Sequence, residues 1–61
     1  MRVFYELYAQ DRVSLLESHQ VGSDSVPRKG DLVEFERNYG DVFGVVWSCY
    51  GSRVHVRCET K

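Results

Sequence analysis

The side chains able to do chemistry here are few: Cys49, Cys58, His19, His55, Ser48, and the cations Arg28, Lys29, Arg53 and Arg57. Two thiols form a disulfide if close enough, and thiols with imidazoles hold zinc. Both outcomes depend on where strands place them. The apolar runs 42–50 and 53–58 flank Gly51-Ser52, a pair suited to a two-residue II′ hairpin turn. That turn pairs Tyr50 with Arg53, Cys49 with Val54, Ser48 with His55, Trp47 with Val56 and Val45 with Cys58. One face then carries Val45, Trp47, Cys49, Val54, Val56 and Cys58, all apolar. In this register the two cysteines are about 13 Å apart at ~3.3 Å per residue, beyond the ~4.4–6.8 Å a disulfide spans. His55 points to the opposite face, so one zinc does not collect all three groups. The thiols read as small buried hydrophobes, reduced as in a cytoplasmic protein. No metal and no cofactor is expected.

The other hairpin face carries Val46, Ser48, Tyr50, Arg53, His55 and Arg57. Cations interleaved with an aromatic suit a phosphate, a base or an acidic groove on another protein. The same pattern also suits a solvated outer face on which Tyr50 and Arg53 pair across the strands. Arg28-Lys29 before Gly30 offers a second candidate, because successive N–H groups beside a positive-φ glycine can cradle an anion. It lacks the length and the following helix of a nucleotide-hydrolase loop. A solvated turn is the simpler reading. Ser48 opposite His55 is the nearest approach to a nucleophile and base. No carboxylate is placed in the sequence to orient that histidine, and a flat sheet face does not exclude water. The chain therefore reads as a non-enzyme. The candidate binding residues are Tyr50, Arg53, His55, Arg57, Arg28 and Lys29.

The elements that must carry these residues are strands. Residues 2–8 alternate, with Val3, Tyr5 and Leu7 on one face and Phe4, Glu6 and Tyr8 on the other. Residues 13–21 fit a strand better than a short helix capped by Asp11, because Gln20 breaks the helical stripe. Residues 22–31 hold Pro27 and Gly30 and form an ordered loop. Leu32 to Glu36 alternates again, with Val33 and Phe35 inward. Asn38 and Gly40 mark the next turn. The expected core is Val3, Tyr5, Leu7, Val33, Phe35, Phe43, Val45, Trp47, Cys49, Val54, Val56 and Cys58. Phe4, Tyr8 and Tyr39 are left as outward aromatics, a surface that a second subunit could cover.

Composition bounds the rest. The 61 residues make one domain, 1–61, and exclude a multi-domain enzyme. A hydrophobic fraction of 43% is too high for a disordered tail. No apolar run approaches the roughly 20 residues that cross a bilayer, and no leader pattern is apparent. Eight Lys+Arg against nine Asp+Glu argue against holding nucleic acid by bulk charge.

The run Val26-Pro27-Arg28-Lys29-Gly30-Asp31-Leu32-Val33-Glu34-Phe35, a Gly-containing turn, Val45-Val46-Trp47 and a closing hairpin resemble the small SH3-like β-barrels of bacteria and phages. The likeness rests on the Pro-x-x-Gly-Asp-x-Val pattern and covers residues 26–58. It implies a five-stranded, strongly bent barrel and no particular activity. The expected fold is all-β: a small five-stranded antiparallel, meander-like SH3-like barrel, or a half-barrel completed by a partner or by dimerisation. The expected function is non-catalytic binding by a small bacterial or phage accessory protein that inhibits or adapts a larger protein partner. Two alternatives stand beside it, nucleic-acid or nucleotide binding (including sequestering of a nucleotide signal) and a structural subunit. A homodimer is expected.

Overall fold

The computed structural model describes residues 1–48 and 51–61. Five strands form one curled sheet, a half-barrel: β1 (Arg2–Tyr8), β2 (Leu15–Gly22), β3 (Leu32–Glu34), β4 (Tyr39–Trp47) and β5 (Arg53–Thr60). Among the described residues there is no helix, and hence none long and apolar enough to cross a membrane. Residues 15–22 are strand, which settles the one ambiguous stretch.

The order across the sheet is β2-β1-β5-β4-β3. This is a five-strand meander bent round until its last strand meets its first, and open between β2 and β3. The neighbours β1–β2, β3–β4 and β4–β5 pair antiparallel, but β1 and β5 run parallel. The expectation of an all-antiparallel sheet fails at that one seam for a simple reason. In an up-and-down chain, strands one and five point the same way, so closure with an odd count requires a parallel pair.

Alternation sorts the core as expected over β1 and β5. Val3, Leu7, Val54, Val56 and Cys58 are fully buried and Phe35 nearly so, with Tyr5, Val26, Val33 and Val45 packed against them. Two expected core positions are corrected. A bulge between Val42 and Gly44 pairs Val42 with Cys58, so Val42 enters the core and Phe43 turns to the outer face. Trp47, expected inside, is 59% exposed. It does share the inward parity, lying across from Val54. However, β3 covers only Tyr39–Asp41 of β4, so the far half of β4 has a strand on its β5 side alone.

The β4–β5 register also differs from that of a two-residue turn. Trp47 pairs with Val54 and Val46 with His55, and the Ser48 N–H donates to the Arg53 carbonyl. The connection is four residues, 49–52, rather than Gly51-Ser52 alone. A shift of two keeps every side chain on its face, so the separation of apolar and polar faces survives. The expected roles of Cys49 and Tyr50 lie outside the described residues.

Gly40 is a packing requirement. A Cβ there would lie 2.6 Å from Leu7 Cδ1 and 2.8 Å from Cys58 Cβ, so β4 passes too close to the core for any side chain.

Candidate functional site

Five of the six residues singled out in the sequence fall in two separate places. Arg53, His55 and Arg57 are on the convex outer face of β5, while Arg28 and Lys29 are in the loop at the end of the half-barrel. Tyr50 is outside the described residues.

On the outer face, the parallel seam sets Phe4 beside His55, Glu6 beside Arg57 and Tyr8 beside Glu59. The His55 ring stacks on Phe4 at 4.8 Å, the ring planes nearly parallel, and its Nδ1 lies 2.9 Å from Glu6 Oε2. The Tyr8 hydroxyl donates to the other oxygen of Glu6, at 3.1 Å. A carboxylate therefore does orient His55, contrary to expectation. It comes from β1, and only the parallel pairing brings it there. The expected Ser48–His55 pair is not formed, because Val46 stands across from His55. The imidazole and carboxylate thus lack a hydroxyl across the strand that a base could activate.

Arg57 lies 5.0 Å from the Tyr8 ring centre and 5.3 Å from that of Phe43. Arg12 covers Phe43 at 4.8 Å and binds Glu59 through Nε at 2.7 Å. These cations are held by rings and by a carboxylate of the same chain, a use that keeps their charge but occupies their faces. Of Arg53, His55 and Arg57, Arg53 alone is fully on the surface.

The loop candidate resolves differently. The Arg28 N–H donates to Asp31 Oδ2 at 2.8 Å, the Gly30 N–H to the Val42 carbonyl and the Asp31 N–H to the Arg28 carbonyl. Gly30 does adopt the expected positive φ, 96°. With three N–H groups of the turn donated within the chain, no backbone nest faces an anion. The side chains of Arg28 and Lys29 are exposed, and the ion pairs among the described residues involve neither. They border a groove of about 440 Å³ with Val26, Pro27, Gly44, Val45 and the exposed Trp47. That groove is apolar, contains no acid, and has two cations at its rim. Sequence reasoning placed Trp47 on the correct face but missed its exposure, since alternation does not reveal where a sheet runs out.

A larger hollow of about 660 Å³ opens between β2 and β3, floored by Tyr5, Val21, Val26 and Val33. Glu17 bridges its one end: its carboxylate accepts from the Glu36 N–H at 3.0 Å and contacts His19. These contacts, His19 first, hold the Glu17 carboxyl below the usual carboxylate range. The acids Asp31, Glu34, Glu36 and Asp41 do not form one functional face. Asp31 is turned into its own loop, while the pairings of β3 set Glu34 and Asp41 on the side opposite Val33. No group of three metal-ligating side chains occurs among the described residues.

Comparison with protein-family models, with curated proteins and with solved structures finds no match to this chain.

Proposed function

We propose that this chain is a non-catalytic binding protein, an accessory that docks on a larger protein partner through the groove beside Trp47. The observation that carries this reading is the exposed indole: the chain's single tryptophan, 59% accessible, set between Pro27, Val45 and the cations Arg28 and Lys29. Tryptophan and arginine dominate the energetics of protein interfaces, where a large ring fills a pocket and charges at the rim select the partner. An apolar groove with cations and no acid suits a segment that combines a hydrophobic side chain with carboxylates. The outer-face cations support the nucleotide reading less well, because Arg57 and His55 already have intramolecular partners.

The test uses a displayed library of random peptides and the tryptophan itself as reporter. Acidic, hydrophobic peptides are expected to be enriched and to shift Trp47 emission to shorter wavelength on binding. Arg28→Glu/Lys29→Glu should abolish that shift, while Arg53→Glu/Arg57→Glu should leave it intact. Trp47→Ala should abolish capture with little loss of stability, within about 1 kcal/mol, because the side chain is mostly in water. Loss of capture on the outer-face substitution alone, or binding of nucleotides in place of peptides, would overturn the assignment.

A further inference from the structure

β2 ends the sheet, and its outer edge is paired with nothing among the described residues. The Ser23 N–H donates to the Met1 carbonyl, which makes residues 1 and 23 a hydrogen-bonded pair of the β1–β2 ladder. Such pairs alternate, so Val21, His19 and Glu17 turn their backbone groups toward β1. Ser18, Gln20 and Gly22 turn theirs outward. A bulge next to Leu16 ends the regular stretch, leaving Glu17 to Gly22 as a regular edge whose outward backbone groups are unpaired among the described residues, with Glu36 and Phe35 reaching the inner-face side chains of Glu17 and His19 at one end. That edge carries no lysine and no proline, and the devices it does hold against strand addition, the bulge and the inward carboxylate of Glu17, are confined to its one end. Leu15, Leu16 and Val21 along this strand are exposed.

We infer that this edge is the seam of a homodimer, in which β2 of two copies pairs antiparallel about a two-fold axis at Gln20. Only residues that turn outward on both strands can form hydrogen-bonded pairs, which leaves registers centred on Ser18, His19, Gln20, Val21 or Gly22; centring on Ser18 or Gly22 forms one such pair, on His19 or Val21 two, and on Gln20 three. Centring on His19 sets two imidazoles opposite each other. Centring on Ser18 sets two Glu6 side chains in one row on the outer face, because Glu6 is the neighbour of Ser18 in β1. It also retains only one hydrogen-bonded pair within the regular stretch. Centring on Gln20 pairs Ser18 with Gly22 of the second copy and Gln20 with its own equivalent. Arg2, the neighbour of Gly22, then shares a row with Glu6 of the second copy, with only a glycine and a serine between them. Opposite charges share a row at both ends of the seam, three strand spacings or about 14 Å apart, with Glu6 held also by His55 and Tyr8. On the inner face, His19 of one copy covers the exposed Val21 of the other. The seam leaves the Trp47 groove untouched, so it stands independently of the proposed function.

Sedimentation of the full chain should give twice the mass of one chain at micromolar concentration. In a Cys49→Ser background, Gln20→Cys should form a disulfide-linked dimer under mild oxidation, because the two residues face each other at the axis. Ser18→Cys should not, its two copies being separated by four residues along the strands. Arg2→Glu, which sets like charges in the same row twice over, should raise the dissociation constant about threefold at low ionic strength and less in salt. Circular dichroism of each variant checks that the fold is kept. A single-chain mass across the whole concentration range would overturn the dimer. Cross-linking through Ser18→Cys and not through Gln20→Cys would overturn the register.

Discussion

Cys58 shows how position decides what a reactive side chain does. It is fully buried among Leu7, Val56 and Val42, and burial, aided by Asp41 and Glu6, pushes its thiol up to about 11. Below about pH 9 the thiol is protonated in both folded and unfolded chains, and its contribution to stability is present in full. As pH rises from about 9 toward 11 the unfolded chain ionises first, and stability falls by at most about 1.4 kcal/mol per pH unit. In a Cys49→Ser variant, alkylation of Cys58 is expected to follow global unfolding across a denaturant series. Labelling of the native protein at the rate of a free thiol would contradict the burial. Trp47 makes the converse point. Its type and parity argue for the core, yet it stands in solvent because the short β3 leaves the far end of β4 uncovered.

At the level of elements, much was legible in the sequence. The alternation in residues 2–8 and 53–58 assigns Val3, Leu7, Val54, Val56 and Cys58 to the core, and each is buried there. What escaped is what alternation does not encode. The bulge at residues 42–44 exchanges Phe43 for Val42, and bulges arise from pairing rather than from one strand's pattern. The same holds for the outer-face site. His55 and Arg57 were visible, but Glu6, Phe4, Tyr8 and Phe43 join them only through β1–β5 pairing and that bulge. The β1–β2 turn, by contrast, is local chemistry. The Asp11 carboxylate accepts from the Val13 and Ser14 N–H groups and from the Ser14 hydroxyl, contacts that lower its pKa to about 2, the hydroxyl contributing most. Arg12 then takes a positive φ of 61°, which carries its guanidinium to Glu59. Because the folded pKa is depressed, the turn's contribution is present above about pH 4 and lost as pH falls toward 2. The Asp11 carboxyl is expected to titrate near pH 2 by NMR, and Asp11→Ala to remove this acid-dependent step from the unfolding curves. A midpoint at the ordinary aspartate value would refute the clamp.

For the whole molecule, strand parity explains more than composition does. Five strands in an up-and-down path close only by laying the last beside the first, and the parallel β1–β5 seam becomes the centre of the sheet. The open side falls between β2 and β3, joined by the nine-residue segment 23–31 whose Val26 reaches back against the core. The bend therefore buries one face, turns the basic and aromatic face outward, and leaves an edge strand at each side of the opening. The two sets of candidate binding residues are separated by the same bend.

The parallel seam also governs how the chain acquires its shape in time. The β1–β2 and β4–β5 hairpins can form early, since each closes a short loop. Neither hairpin buries its apolar face until β1 and β5, near the two ends of the chain, find each other. The largest entropy loss therefore comes before the contacts that offset it, and folding is expected to be slow for so small a protein, in the millisecond-to-second range. Stopped-flow tryptophan fluorescence would be a poor probe of this step, because Trp47 stays in solvent, whereas the far-ultraviolet sheet signal reports it directly. Val54→Ala, in the seam, is expected to slow refolding, and Val33→Ala, beside the opening, to act mainly by speeding unfolding. Equal effects of both on the refolding rate would show that the ends do not meet first. During synthesis, the exposed edge of β1 waits for β5 to emerge, so the sheet closes only after all five strands have been made.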